Sequence, residues 1–509
     1  MGQRFTAAWA ALELAGDLAT LGCGGVSIAP VTHAVVVGGG HNGLVCAAYL
    51  VRAGLRVTAL ESRAMVGGCA VTESPWPGYK ISTASYLVSL LRDEIVKDLE
   101  LVKHGYQVYP KDPPFFTPFP DGRHLFMWQD AERTAAEIAR FSPHDAAAVP
   151  AYEAHLEILS RHMDCIAMGT APDDVPELRA VLEQSADQFL SRWFESPEVR
   201  VTLATDGVIG ASGGPGAAGS AYVLLHHCMG MAAGRRGLWG FVRGGMGALS
   251  EAIAASAREK GAVIRTHCTV TAIEPGRVML ESGEIVSADV IVSGLHPRRT
   301  FALAGVRDWR PDYVSRGVSM KMNLALSGLP QFRGRPAGEG PEHRATIHIC
   351  PSLEYMERAW GDCARGVGSE EPMIEMGFPS VYDDSLAPAG KHVASLFVQY
   401  LPYGCDAEAF GDCVMETIER YAPGFRELVL HGQVLGPREL EERFGIEGGN
   451  IFHGDLIEPQ LFGKRPGVET GIAGLYLCGA GTHPGGGVMG APGYNGAQAV
   501  VRDLESGCL

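Results

Sequence analysis

The sequence has no C-x-x-C pair. Its twelve cysteines are scattered, and the nearest two, Cys405 and Cys413, stand eight residues apart. That spacing excludes a redox dithiol and a thiolate metal knuckle, and it suits a reducing compartment in which thiols stay free. Basic charge is scarce as well. Lys and Arg total 42 against 58 Asp and Glu, for a net charge of −16. The densest basic pairs, Arg235-Arg236 and Arg298-Arg299, are too small for a stripe of phosphate partners, so no nucleic-acid partner is expected. No run approaches the ~18–20 apolar residues of a membrane-spanning helix, which leaves room for peripheral membrane contact. There is no H-E-x-x-H or other metal-ligand spacing and no G-x-S-x-G nucleophile elbow, so no metal is expected. Internal repeats and low-complexity tails are missing too.

What is abundant is hydrophobic residues, 46% of the chain, and glycine, 66 of 509 residues. The first allows a large core and excludes a disordered chain. The second, with no three-residue period, points to tight turns or to backbone that approaches a ligand closely. The length corresponds to two to four domains.

The most informative stretch begins at His33. Ala34 to Val37 is a short β-branched run that reads as a buried strand. Gly38-Gly39-Gly40-His41-Asn42-Gly43 follows, then helical spacing from Leu44 to Ala53, then a second apolar run from Leu55 to Leu60. The unit is strand, glycine turn, helix, strand. Glu61 closes it, eighteen residues beyond Gly43. In such a unit Gly38 permits the tight turn, Gly40 lets backbone approach a pyrophosphate, and Gly43 lets helix and strand pack closely. The helix N-terminus supplies N–H donors, and Glu61 can accept from a ribose diol.

The same G-x-G-x-x-G pattern recurs at Gly214–Gly219 and Gly485–Gly490. The former lacks a preceding strand and contains Pro215, so it reads as a flexible loop. The latter follows a strand but has no acid at the right distance. Beyond Glu61 the sequence continues to Arg63 and Gly67-Gly68, giving the adenosine half further backbone contacts and favouring FAD over NAD. The late loop, 479–490, then serves the flavin end, where donors near N1 and C2=O are needed.

Elsewhere the pattern is mostly helical from Asp130 to about Arg200. A helix from Ala248 to Lys260 leads into short strands at Ala262–Arg265, Val270–Ile273, Val278–Leu280 and Ala288–Ser293. Met320–Leu326, Ala345–Ile349, Met373–Met376 and His392–Tyr400 form an antiparallel set, and 474–478 is a last strand before a closing helix.

The segments V-V-V-G-G-G-H-N-G-L (35–44), E-x-R-x-x-x-G-G (61–68) and G-L-Y-L-C-G-A-G-T-H-P-G-G-G-V-M-G (474–490) resemble the phytoene-desaturase and carotenoid-isomerase branch of FAD-dependent oxidoreductases. K-I-S-T-A-S-Y-L-V-S-L-L (80–91) and L-L-H-H-C-M-G (224–230) extend the likeness, which runs from about residue 34 to about 505. It implies an α/β fold: a glutathione-reductase-type FAD-binding Rossmann domain with an inserted α+β substrate domain. The implied order is an N-terminal extension (1–32), FAD-binding segments 33–110, 241–300 and 446–509, and substrate segments 111–240, mostly helical, and 301–445, antiparallel sheet plus helices.

The resemblance also implies site residues. Gly38, Gly40 and Gly43 would face the pyrophosphate and Glu61 the adenosine ribose, with Arg63, Gly67 and Gly68 along the same half. Val270 would offer its backbone to adenine. Gly481, Gly487 and Val488 would lie near the pyrophosphate and flavin, with Gly490 at the helix start. Relatives often carry Asp-x-Gly-Pro where this chain has Ser82-Thr83-Ala84-Ser85, so carotenoid desaturation itself is not implied. For a eukaryotic source the resemblance implies the mitochondrial matrix; for a bacterial one, the cytoplasm.

Candidates for proton chemistry are few. His226 and His227 are adjacent and point ~100° apart on a helix, so they cannot chelate one metal together. His227 and His483, the latter in the late loop, are candidates to protonate substrate or flavin, against a structural reading for each. Asp206 competes between a catalytic role and a cap. With no second complete dinucleotide fingerprint, oxygen or a quinone-like acceptor is the expected electron sink. The expected activity is hydride transfer from a small apolar, lipid- or polyene-like substrate to FAD. An FAD-dependent amine oxidase and a flavin-binding scaffold with little turnover are the alternatives.

Overall fold

The strand His33–Val37 lies at the centre of a five-stranded parallel sheet in the order Val263–Arg265, Arg56–Leu60, His33–Val37, Val290–Ser293, Leu475–Leu477. The computed structural model describes residues 32–170, 175–232, 234–456, 460–461 and 464–509, so the expected N-terminal extension lies outside the described residues except for Thr32. Val35 to Val37 are buried because both faces of the sheet are covered. On one face the helix His41–Arg52 packs between the helices Met246–Glu259 and Ala491–Glu505. The packing is close: a Cβ on Gly43 would stand 2.1 Å from the Gly38 carbonyl oxygen, and one on Gly493 would stand 2.2 Å from that of Asn42. The other face is covered by an antiparallel meander, Val270–Glu274, Arg277–Leu280 and Ile285–Ser287.

A second sheet has seven strands in the order Val429–Leu435, Ser319–Leu326, His392–Gln399, Met373–Gly377, Thr346–Ile349, Phe115–Pro118, His124–Met127. Its neighbours are antiparallel except Thr346–Ile349 against Phe115–Pro118. Period-two alternation sorts its residues. Met320, Met322, Leu324, Ile347 and Ile374 turn into an apolar core shared with Phe410 and Val414 of the helix Ala407–Tyr421. Of the intervening positions, Lys321, Thr346, Glu375 and Phe397 turn the other way, toward a cavity. The helical layer runs from Ala131 to Ala204, its core built from residues such as Tyr152, Leu159 and Phe189.

The α/β architecture is the one the sequence implies. Two edges of the large sheet differ from expectation. The stretch read as mostly helical also supplies the strands Phe115–Pro118 and His124–Met127, and Val429–Leu435 adds a strand on the opposite edge. The first two are short, aromatic and bounded by Pro118, Pro120 and an Asp121-Gly122 turn, so no alternation develops along them. Their partner is supplied by Thr346–Ile349, far away in sequence.

Candidate active site

The glycine turn at the end of the strand His33–Val37 is locked from two sides. Gly39 N–H donates to Glu61 Oε2 at 2.8 Å, and Arg63 N–H donates to Oε1 at 2.8 Å. Gly67 N–H donates to the Gly39 carbonyl at 2.7 Å, and Gly40 and Gly67 form a parallel bridge. Arg63 fixes this second turn, its Nη1 reaching Gly68 O at 3.1 Å and its Nη2 reaching Glu73 at 3.1 Å, with Phe444 beneath the guanidinium. Cys268 N–H donates to Glu61 O at 2.8 Å, which brings Val270 beside the same acid-bearing strand end.

This arrangement fits a dinucleotide. A Cβ on Gly40 would meet only Gly68 Cα, at 3.9 Å, so the cradle is open on that side while Gly43 is packed shut. The helix His41–Arg52 has no side-chain cap and no acid in its first turn, which leaves its N–H donors for an anion.

The late loop is built differently. Gly487 is in the left-handed region, and a Cβ there would meet Leu90 Cδ1 at 2.6 Å. Gly490 starts the final helix with φ 75°, again without a side-chain cap or an acid in the first turn. Gly481 packs against Pro297, and its carbonyl accepts from the Tyr313 hydroxyl at 3.3 Å. The clasp is Arg465, a buried residue that sequence reading passed over. Its guanidinium donates to the carbonyls of Phe452, Gly454, Ala480 and Thr482, joining two loops through one side chain.

Between these loops and the seven-stranded sheet lies a cavity of about 1230 Å³, its open mouth included. His41, Gly487 and Val488 line it on the loop side, and Leu87, Leu90, Phe115, Trp239, Phe397 and Phe452 give it apolar walls. The sheet contributes Lys321, Phe397 and Glu375 from one cross-strand row, which His348 continues outside the lining. Lys321 pairs with Phe397, Phe397 with Glu375, and Glu375 with His348, so these side chains share one face. Glu375 is 5% exposed and accepts a hydrogen bond from the Tyr86 hydroxyl. Burial pushes its pKa up, but His348, Tyr86 and Lys111 together outweigh that and hold the carboxyl below its usual range. The Thr205 hydroxyl donates to Thr202 O at 2.8 Å, so His348 donates to Thr205 through Nδ1 at 3.0 Å, leaving Nε2 3.7 Å from Glu375.

Two further ionisable groups line the cavity. Lys111, 1% exposed, donates to Thr346 Oγ1 and lies over the Phe115 ring; burial pushes its pKa down to about 8. Asp206 lies in the short 3-10 turn Thr205–Gly207, which has no side-chain cap. Among the described residues no protein group donates a hydrogen bond to its carboxylate. Burial, with the Glu375 charge adding to it, pushes its pKa up against His227, His348 and Lys111.

Of the two histidines singled out from sequence, His227 lines the cavity. Its Nδ1 donates to Val223 O at 2.9 Å, and its ring stacks on Trp239. His226, next to it, packs against the late loop, 3.5 Å from where a Gly487 Cβ would stand. His483 is not among the cavity-lining residues; its Nε2 contacts Ile166 O at 3.2 Å. Lys111, Lys321, Glu375, His348 and Tyr86 were not singled out. The signal for three of them was present: Lys321, His348 and Glu375 alternate with Met320, Met322, Ile347, Ile349, Ile374 and Met376 in strands read as an antiparallel set. The Gly214–Gly219 stretch is a loop tied to Glu357, whose Oε1 accepts from Gly216 N–H at 2.5 Å.

Residues 43–300 match the family described as flavin containing amine oxidoreductase, and the chain belongs to it. It is an FAD-dependent oxidoreductase. Among particular proteins, it is 40% identical to pyridine nucleotide-disulfide oxidoreductase domain-containing protein 2 of Rattus norvegicus, over 94% of each chain. It is 26% identical to phytoene desaturase (neurosporene-forming) of Cereibacter sphaeroides, over 94% of this chain and 96% of that one. The structure of cyclohexylamine oxidase from Brevibacterium oxydans superposes with a TM-score of 0.59 at 15% identity, covering 94% of this chain and all of that one, a likeness of fold. The cysteines among the described residues are all free.

Proposed function

We propose that the protein oxidises a small substrate with an apolar, lipid- or polyene-like body, bound between the glycine loops and the large sheet. The observation that carries this reading is the apolar wall of Leu87, Leu90, Phe115, Trp239, Phe397 and Phe452. FAD, when bound, supplies the hydride acceptor. In this reading Gly38, Gly40 and Gly43, with the helix they open, hold the pyrophosphate, Glu61 holds the adenosine ribose, and Val270 meets adenine. Arg63, Gly67 and Gly68 keep the adenosine half in place. Gly481, Gly487, Val488 and Gly490 shape the flavin end. His227 stands within the cavity as an acceptor for a substrate proton, because its Nδ1 is spent on Val223 O. Oxygen or a quinone-like acceptor takes the electrons onward.

The likeness to a phytoene desaturase supports the apolar body. An amine substrate is the second reading, supported by the family match. Among the described residues no helix is long and apolar enough to cross a membrane, and the reading places the protein at most against a membrane surface. The mitochondrial matrix, for a eukaryotic source, is part of the same proposal and is checked by fractionation.

The test is anaerobic mixing of purified holoprotein with lipid, polyene and amine panels, followed at the flavin absorption near ~450 nm. Bleaching by the lipid or polyene panel supports the first reading. Bleaching by amines alone replaces it with the second, and rapid bleaching by NADH would overturn the inferred electron sink.

A further inference from the structure

A purely hydrocarbon guest would leave part of this cavity unsatisfied. Lys111 spends one of its three ammonium donors on Thr346, and the other two have no protein acceptor among the described residues. Asp206, in the same wall, accepts from no protein donor. His227 adds a second acceptor, since its Nδ1 carries the proton and Nε2 presents a lone pair. Covering such groups with an alkyl chain removes their water and returns no hydrogen bond, a penalty that is larger for charged groups.

The cavity carries both signs of charge, and that narrows the head group. An ammonium head would meet Lys111, and a carboxylate head would meet Asp206 and Glu375. Lys111 already feels the charge of both acids. A neutral group that donates and accepts suffers neither repulsion, and a hydroxyl is the smallest that does both.

We infer that the substrate is an alcohol with an apolar body, its O–H donating to Asp206 and its oxygen accepting from Lys111. The inference rests on the reading of this cavity as the substrate site and names the polar end of that substrate. Thr346 and Phe115 hold Lys111 in place for it, the first by accepting its hydrogen bond and the second by lying under its charge.

The experiment is calorimetric titration of the FAD-loaded protein with four chain-matched probes: octan-1-ol, octylamine, octanoate and octane. Transfer from water alone favours octane, so preference for the alcohol has to come from polar contacts. The expected result is that octan-1-ol binds at least about tenfold more tightly than each of the others. Asp206→Ala and Lys111→Met should each weaken the alcohol about tenfold and let octane bind more tightly than it does to the unaltered protein. If either variant loses its flavin, the ranking on the unaltered protein decides alone. Octane binding as tightly as the alcohol would overturn this inference and leave the apolar-substrate reading standing. Tightest binding of octylamine or octanoate overturns it in favour of a charged head, and binding of no probe overturns both readings.

Discussion

The glycine turns beside the cavity and the sheet wall of the cavity are made by opposite means. The turns proposed to hold the nucleotide are backbone: glycines at 38–43 and 67–68 interlock through N–H and C=O groups, and side chains such as Glu61 and Arg63 hold the turns. The sheet side is side chain: Lys321, Phe397 and Glu375 line it from adjacent strands whose residues lie far apart in sequence, with His348 next in the same row. A backbone site tolerates no added atom, and a side-chain site tolerates added atoms but not lost charge.

Substitutions should separate the two, beginning with the largest effect. Gly43→Val drives its side chain into the Gly38 carbonyl, 2.1 Å away at Cβ, and should yield no folded yellow protein, a loss above about 3 kcal/mol. Gly40→Leu meets open space and should keep the melting temperature of the flavin-free protein while FAD occupancy, read near ~450 nm, falls to background. A Gly40→Leu protein with full occupancy would break the assignment of the backbone wall.

Glu375→Leu attacks the other wall. It removes the partner of Tyr86 and His348 and should cost about 3 kcal/mol in chemical denaturation, with flavin retained. Loss of flavin with this variant would mean that the two walls are not separable.

Acid should affect them in different windows. His41 and His453, at the loop side of the cavity, are neutral in the fold because burial lowers their pKa values to about 4 and about 3. Below 6.5 the unfolded chain takes up protons there and the fold does not. Stability is therefore full above pH 6.5 and falls toward pH 4, by up to about 1.4 kcal/mol per pH unit for each group. Glu375, with a lowered pKa, gives stability that is lost only as pH drops below its ordinary 4.5. Melting curves between pH 7 and 5 should slope less in His41→Asn and be unchanged in slope in Glu375→Gln.

The smallest effect is expected at the second glycine loop. Gly216→Ala displaces only the end of the Glu357 side chain and should change stability by less than about 0.5 kcal/mol, with no change in flavin content.

The same contrast explains what could be read in advance. Gly38 to Glu61 lie within one strand–helix–strand unit, so local spacing reveals them. The strands of the large sheet could be found by their apolar alternation, but which face is dry depends on the layer packed against it. Lys321 and Glu375 therefore passed as ordinary strand residues. Lys111 and Asp206 come to line one cavity through long-range relations such as the pairing of Phe115–Pro118 with Thr346–Ile349, which no local pattern encodes. Arg465 carried no signal, being a single cation in a loop whose partners are all carbonyls.

That last residue bears on how long the cofactor stays. Four carbonyls on two loops share one guanidinium, so neither loop can swing aside without pulling the other. With the flavin in the proposed site, its exchange would require a concerted opening of both, and its residence time would follow the rarity of that event.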